Sequence, residues 1–277
     1  GSEMCIRDSG MISEEAIEQQ EHIMGLDRPF IVQYGSWLAD VVRGDLGISF
    51  TTKNPVSEEL KNHMAPTVQM TLLSMIISAA VSVPLGILCA VYKDKSIDNI
   101  MRIFSFIGIS IPSFVLSLIF LWLFCIKYKF FPIMAAEGIR GLILPSAVLI
   151  IQCSAKMIRQ IRAIILEQME QPYVEGAVIR GVSPRRILFS HILKNSASPI
   201  LTCMSIYVGV FLGGSTVIEG IFSVNGLGRL AVNSVARLDY NMIQGFVLWC
   251  ALAYLIVNLS VDILSAIIDS RIKYGRM

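Results

Sequence analysis

The chain of 277 residues is 54% hydrophobic and only 16% charged, whereas a soluble domain carries about 25% charge. Apolar runs of roughly 20 residues recur along it, which points to membrane-spanning helices and excludes an ordinary soluble enzyme. Net charge is +2 and no basic cluster is interleaved with aromatics, so nothing suggests a nucleic-acid partner.

The first ten residues, GSEMCIRDSG, differ from everything that follows and read as a tag remnant or assembly artefact. Residues 11–66 are soluble in character and acidic, with nine Asp and Glu against four Lys and Arg. Ser13 with Glu15 and Ala16 predicts a helix start, and Gly25 a stop. Tyr34, Trp37, Leu38 and Val41 have helical spacing, so this stretch is expected to lie against the membrane or the bundle. Gly44-Asp45-Leu46-Gly47 reads as a turn.

Residues 67–277 form an all-α, polytopic helical bundle by pattern, with five spans at 67–92, 100–126, 141–161, 196–218 and 243–268. Pro84 and Pro112 sit mid-segment and are expected to kink their helices. Orientation follows from the bases. Residues 159–195 hold six Lys and Arg against three acids, and Lys93, Lys95 and Arg102 mark the turn after the first span. With Arg271, Lys273 and Arg276 in the tail, these intervals fall on one side, expected to be cytoplasmic. Lys127, Lys129 and Arg140 land opposite and weigh against that assignment. The cysteines fall one per segment without metal or redox spacing, so those in the spans read as small packing residues.

Inside the spans, Gly209 and Gly213 form a small-xxx-small pair suited to close helix approach, within one subunit or between two. Asn258 and Asp262 lie one turn apart on the last span. An intramembrane acid is a functional candidate, although its place near the span's end favours a structural role, such as pairing with a base. Glu219 closes the preceding span. Asn225-Gly226 reads as a turn with positive φ at Gly226, and Leu227–Ala236 as a short helix. That helix could touch a substrate-delivering protein or plug the bundle, and the plug is favoured.

The polar interval 171–199, which overlaps a cytoplasmic loop placed at 162–195, reads as two short helices joined by a sharp corner. Pro172 suits a first helical position, and Gly181 the left-handed residue that ends a helix. Ser183 is placed to cap the next helix, with Pro184 at its first position. No GxxxxGK[ST] phosphate loop exists, so this chain is not expected to hydrolyse ATP. His22, His63 and His191 form no ligand pair, no catalytic constellation is present, and no metal or cofactor is called for.

Glu175, Gly176, Ala177 and Gly181, with Arg185-Arg186, Lys194-Asn195 and Pro199, resemble the "EAA" loop of the membrane subunits of bacterial ATP-binding-cassette importers. Gly176 departs from the family's usual alanine, at a helix cost of about 1 kcal/mol. GLDRPFIVQYGSWLADVVRGDLGISF is similar to the extracytoplasmic segment of the dipeptide, oligopeptide and nickel permease branch, and the likeness continues through GGSTVIEGIFSVNGLGRLAVNSVARLDY. The resemblance implies a multi-pass permease of the bacterial cytoplasmic membrane. It implies as partners a second homologous permease, two ATP-binding subunits and an extracytoplasmic binding protein. Tyr173, Glu175, Gly176, Ala177, Gly181, Arg185 and Arg186 would then couple to the ATPase, with Ala177 small because it faces the partner. Arg162, just outside the loop helix, is expected to be replaceable. Glu219, Gly226, Asn258 and Asp262 remain candidates for the pathway or its gate. The family has six spans, so a first helix ahead of residue 11 is expected to be missing. Cargo reads as peptides or nickel and metal chelates, with a lean to nickel. The alternative is a self-sufficient channel or ion-driven transporter, which calls for several paired intramembrane ionisable residues.

Overall fold

The computed structural model of the chain describes residues 27–132 and 138–268. The leading ten residues, the expected helix between Ser13 and Gly25, and the basic tail lie outside them.

The described residues are helical throughout, apart from turns and one isolated bridge between Ile48 and Pro55. Helix α1 spans Phe30–Val42, α2 Val56–Val91, α3 Ser96–Ser110 and α4 Ser113–Phe120, which runs on as a π-helical stretch, Leu121–Lys127. Then follow α5 Ile139–Met169, α6 Pro172–Ile179 and α7 Pro184–Ile187. A π-helical turn joins α7 to α8, Leu193–Ile221; α9, Leu227–Ala236, and α10, Tyr240–Ile268, complete the described chain. Among the described residues, four helical runs are long and apolar enough to cross a membrane, or five if α3 and the α4 run count as one broken span.

The second expected span is not one kinked helix. Its two arms meet at 96°. Ile111 is extended (φ −86°, ψ 118°), as the residue before a proline prefers, so the helix stops there and restarts after Pro112. The freed carbonyl of Ile111 accepts a 2.8 Å hydrogen bond from Gln152 Nε2 on α5, which supplies the partner that lipid would withhold. Pro84 stays within continuous helix. The first span also starts earlier than expected, at Val56, because Val56 and Leu60 pack with Leu227 and Met242.

α2 and α5 form the centre. In lipid, helices gain from close van der Waals approach rather than from escape from water. α2 meets that need with Thr67, Thr71, Ser74, Ser78, Ser82 and Gly86, small and buried every three or four residues. A Cβ on Gly86 would lie 2.7 Å from Ile161 Cγ2, so only glycine lets the two helices meet there. Met157, Ile161 and Ile165 on α5 and Phe211 and Ile218 on α8 fill the core. Cys89, Cys125, Cys153 and Cys203 are buried in it as packing residues, while Cys250 is half-buried. α1 is different. It has no buried residue, so it does not lie against the described bundle, and its aromatic rings stack only on each other, Phe30 on Tyr34 and Tyr34 on Trp37.

Candidate functional site

The corner between α6 and α7 is built by backbone hydrogen bonds. Gly181 adopts φ +74°, its N–H donates to the Val178 carbonyl at 2.8 Å, and Val182 N–H reaches the Ala177 carbonyl at 3.1 Å. This is a Schellman close, and it fixes the angle at which the chain leaves α6. Pro172 and Pro184 open their helices as expected. Ser183 occupies the cap position but makes no capping bond through its side chain.

Ala177 does not face outward. It is 1% exposed and packs into the chain's own core beside Val174 and Val182. The outward face of α6 carries Glu175, Val178 and Ile179, and Val178 and Ile179 are 60% and 79% exposed. Tyr173 is tied back, its hydroxyl donating to Gln168 Oε1 at 3.0 Å. Gly176 accepts at its carbonyl from Arg180 Nε, and Arg185 and Arg186 stand exposed on α7.

At the other end of the bundle Glu219 is fully buried. Thr67 on α2 donates to its Oε1 at 2.8 Å, and Arg229 N–H donates to its Oε2 at 3.0 Å. Thr67 Oγ1 also accepts Leu227 N–H at 2.8 Å. Two helices thus satisfy the otherwise orphaned N–H groups at the start of α9. Gly226 is extended there (φ −110°, ψ −179°), so the expected positive φ is absent. Its glycine is required by space: a Cβ would stand 2.5 Å from Thr67 Oγ1 and 2.6 Å from Glu219 Oε2. The left-handed residue of this connection is Ser223, φ 56°, and the turn sits at Phe222-Ser223 instead of Asn225-Gly226.

The same end carries a second buried acid. Asp239, between α9 and α10, accepts from the Ser49 hydroxyl at 2.5 Å and from the N–H groups of Phe50 and Thr51 at 3.2 Å. Burial pushes its carboxyl up, but these donors and Met242 N–H outweigh burial and hold it below the usual carboxylate range. The segment ahead of α2 is therefore pinned onto the bundle.

Near the α6 end, Asp98 on α3 is fully buried and receives Arg162 Nε at 2.7 Å and Nη2 at 2.8 Å, a two-pronged grip. Arg102 adds a third contact at 2.8 Å. Arg162 is therefore not the replaceable bystander expected from its place outside α6; it locks α3 to α5.

The remaining candidates are not brought together. A Cβ on Gly209 would lie 3.0 Å from the Tyr254 ring, so its close approach is to α10 of the same chain, while Gly213 faces open space. Asn258 is half-buried. Asp262 is exposed, and the expected pairing with a base is absent among the described residues.

The family described as "binding-protein-dependent transport system inner membrane component" matches residues 82–274. The chain belongs to that family. A glutathione transport system permease protein of Escherichia coli (strain CFT073) is 34% identical over 260 residues, covering 94% of this chain and 85% of its own length. A probable peptide ABC transporter permease protein of Sinorhizobium fredii is 34% identical over 270 residues, covering 95% and 86%. Among solved structures, an inward-facing MetNI methionine ABC transporter matches with TM-score 0.60 at 17% identity, over 76% of this chain and 96% of that one. An amino acid ABC transporter matches with TM-score 0.54 at 19% identity, over 78% and 94%. These two likenesses speak for the fold of the inner-membrane component, a multi-pass helical permease.

Three residues that organise this permease were not singled out from sequence: Thr67, Asp98 and Asp239. Asp98 and Arg162 are 64 positions apart and Thr67 and Glu219 152 apart, so no local pattern links them. Lys156 and Arg159, two cations within the expected 141–161 span, were open to view. The small-residue repeat on α2 was equally readable.

Proposed function

We propose that the chain is the permease subunit of an ATP-driven importer of small peptides and supplies half of a translocation pathway completed by a second, homologous permease. In this reading two ATP-binding subunits dock on α6, which faces the cytoplasm, and an extracytoplasmic binding protein delivers cargo to the end where residues 46–56 and α9 are pinned. The observation that carries it is the face of α6. Val178 and Ile179 are apolar, exposed and adjacent to Glu175, on a helix whose other side is seated in the core and whose exit is fixed by Gly181. A surface of this kind, on a helix of the loop between spans, suits burial against a partner. Peptide cargo is favoured over nickel or a metal chelate by the names of the relatives reported above.

The reading is tested by purifying the tagged permease with its co-expressed partners and measuring uptake of a labelled tripeptide into proteoliposomes. Uptake should require ATP and the binding protein. Uptake driven by an ion gradient with no nucleotide-binding partner would replace this reading with a self-sufficient transporter.

A further inference from the structure

α5 carries an unexplained polar stripe. Gln152, Lys156 and Arg159 follow one another at four and three residues, with the small Ala163 four further on, and so lie within about 60° of one helix face. Arg159 and Ala163 are exposed, and Gln152 and Lys156 half-buried. Gln152 is used by the Ile111 carbonyl. Lys156 and Arg159 make no ion pair or hydrogen bond among the described residues, in contrast to Arg162, one turn further on, which is held by Asp98.

Their depth makes this contrast informative. Lys93, just past the end of α2, reaches Glu170, just past the end of α5, at 3.9 Å, which marks one limit of the bundle. Lys156 lies 14 residues before Glu170, about 21 Å along the helix, and five residues inside the expected end of the 141–161 span, with Arg159 nearer that end. A cation inside a span that faces lipid is costly, up to about 3 kcal/mol at the bilayer centre, so Lys156 is expected to face a water-filled path. Arg159, though not Lys156, also lines a cavity of ≈ 670 Å³ between α3 and α5, walled by Met101, Phe106 and Ile158 and by the Asp98–Arg102–Arg162 group. That volume suits a small peptide-sized ligand. The next charge along the stripe, Glu167, lies two turns beyond Arg159, at the far end of α5.

We propose that Lys156 and Arg159 form an anion-selecting station in the translocation pathway, where the carboxylates of a peptide exchange water for two fixed cations. The inference rests on the permease reading above and adds the cargo's charge class. Both cations are needed for passage rather than for holding the helices, because among the described residues neither has a hydrogen-bond or ion-pair partner to lose.

The test uses the complete transporter in proteoliposomes with two labelled tripeptides, one carrying free carboxylates and one with every carboxylate amidated. Lys156→Gln and Arg159→Gln should each lower uptake of the acidic peptide about tenfold relative to the amidated one. Lys156→Arg should keep the parent's ratio. Equal loss of both peptides, or no change in the ratio, overturns the station while leaving the peptide-permease reading intact. Failure of Lys156→Gln to assemble with the second permease, rescued by Lys156→Arg, would assign the cation to the subunit interface and also overturn it. A parent assembly that moves neither peptide overturns both readings.

Discussion

Thr67 and Glu219 lie 152 residues apart, yet one 2.8 Å hydrogen bond joins them, and each reaches on to the first turn of α9. The pair acts as an imported cap. Gly226, at the cap position, has no side chain, so a hydroxyl from α2 and a carboxylate from α8 receive the N–H groups of Leu227 and Arg229. Replacing Glu219 by alanine leaves the Arg229 N–H and the Thr67 hydroxyl without their acceptor, at a cost of about 1–3 kcal/mol. Thermal unfolding of the purified chain in detergent should show this loss, with Thr67→Val in the same direction.

Gly226 and Gly181 should fail in opposite ways. Gly226 has an ordinary backbone and no space, so even Gly226→Ala forces Thr67 and Glu219 apart and should release α9. Gly181 has open space around its absent Cβ but φ +74°, so Gly181→Ala meets only the left-handed penalty of about 1–2 kcal/mol. Accessibility of a cysteine placed at Ser234 to a thiol reagent should rise in the first variant and stay unchanged in the second.

Arg162→Ala should destabilise the fold by about 3–5 kcal/mol, since it strips a buried carboxylate of its two-pronged partner. The double variant Asp98→Ala with Arg162→Ala should recover part of the loss, because no unpaired charge then remains inside. A double-mutant cycle on thermal stability measures this directly, and strict additivity would contradict it.

Asp239 makes the pinned segment sensitive to acid. Its pKa is depressed in the fold, so its contribution is fully present above the ordinary carboxylate value. That contribution is lost as pH falls below about 4 towards the folded pKa. Asp239→Asn should therefore lower stability near neutrality and flatten the dependence on acid pH. Melting temperatures of parent and variant across the acid range should converge.

Much of this was legible locally. α9 runs from Leu227 to Ala236 as its apolar spacing predicts, and Gly181 ends α6 in the left-handed geometry that glycine favours. What depended on distant neighbours was not. Gly226 announces a turn by residue type, but the reason for glycine is the approach of Thr67 and Glu219 from two other helices. Pro112 announces a kink, but the right angle also requires Gln152 to satisfy Ile111. Ala177 resembles the small residue of an importer's loop and was expected to face a partner, while its burial is decided by Val174 and Val182 seating that face inward.

The central claim is that α6 carries motion between this chain and a nucleotide-hydrolysing partner. The most direct measurement is ATP turnover by the reconstituted assembly, with and without loaded binding protein, for the parent, Ile179→Asp and Glu175→Ala. The parent should be stimulated. Ile179→Asp should insert and keep its helices, yet lose ATPase association or stimulation, because a charge replaces the exposed apolar contact; Glu175→Ala should weaken the same response. Stimulation and transport equal to the parent in both variants would contradict coupling through α6.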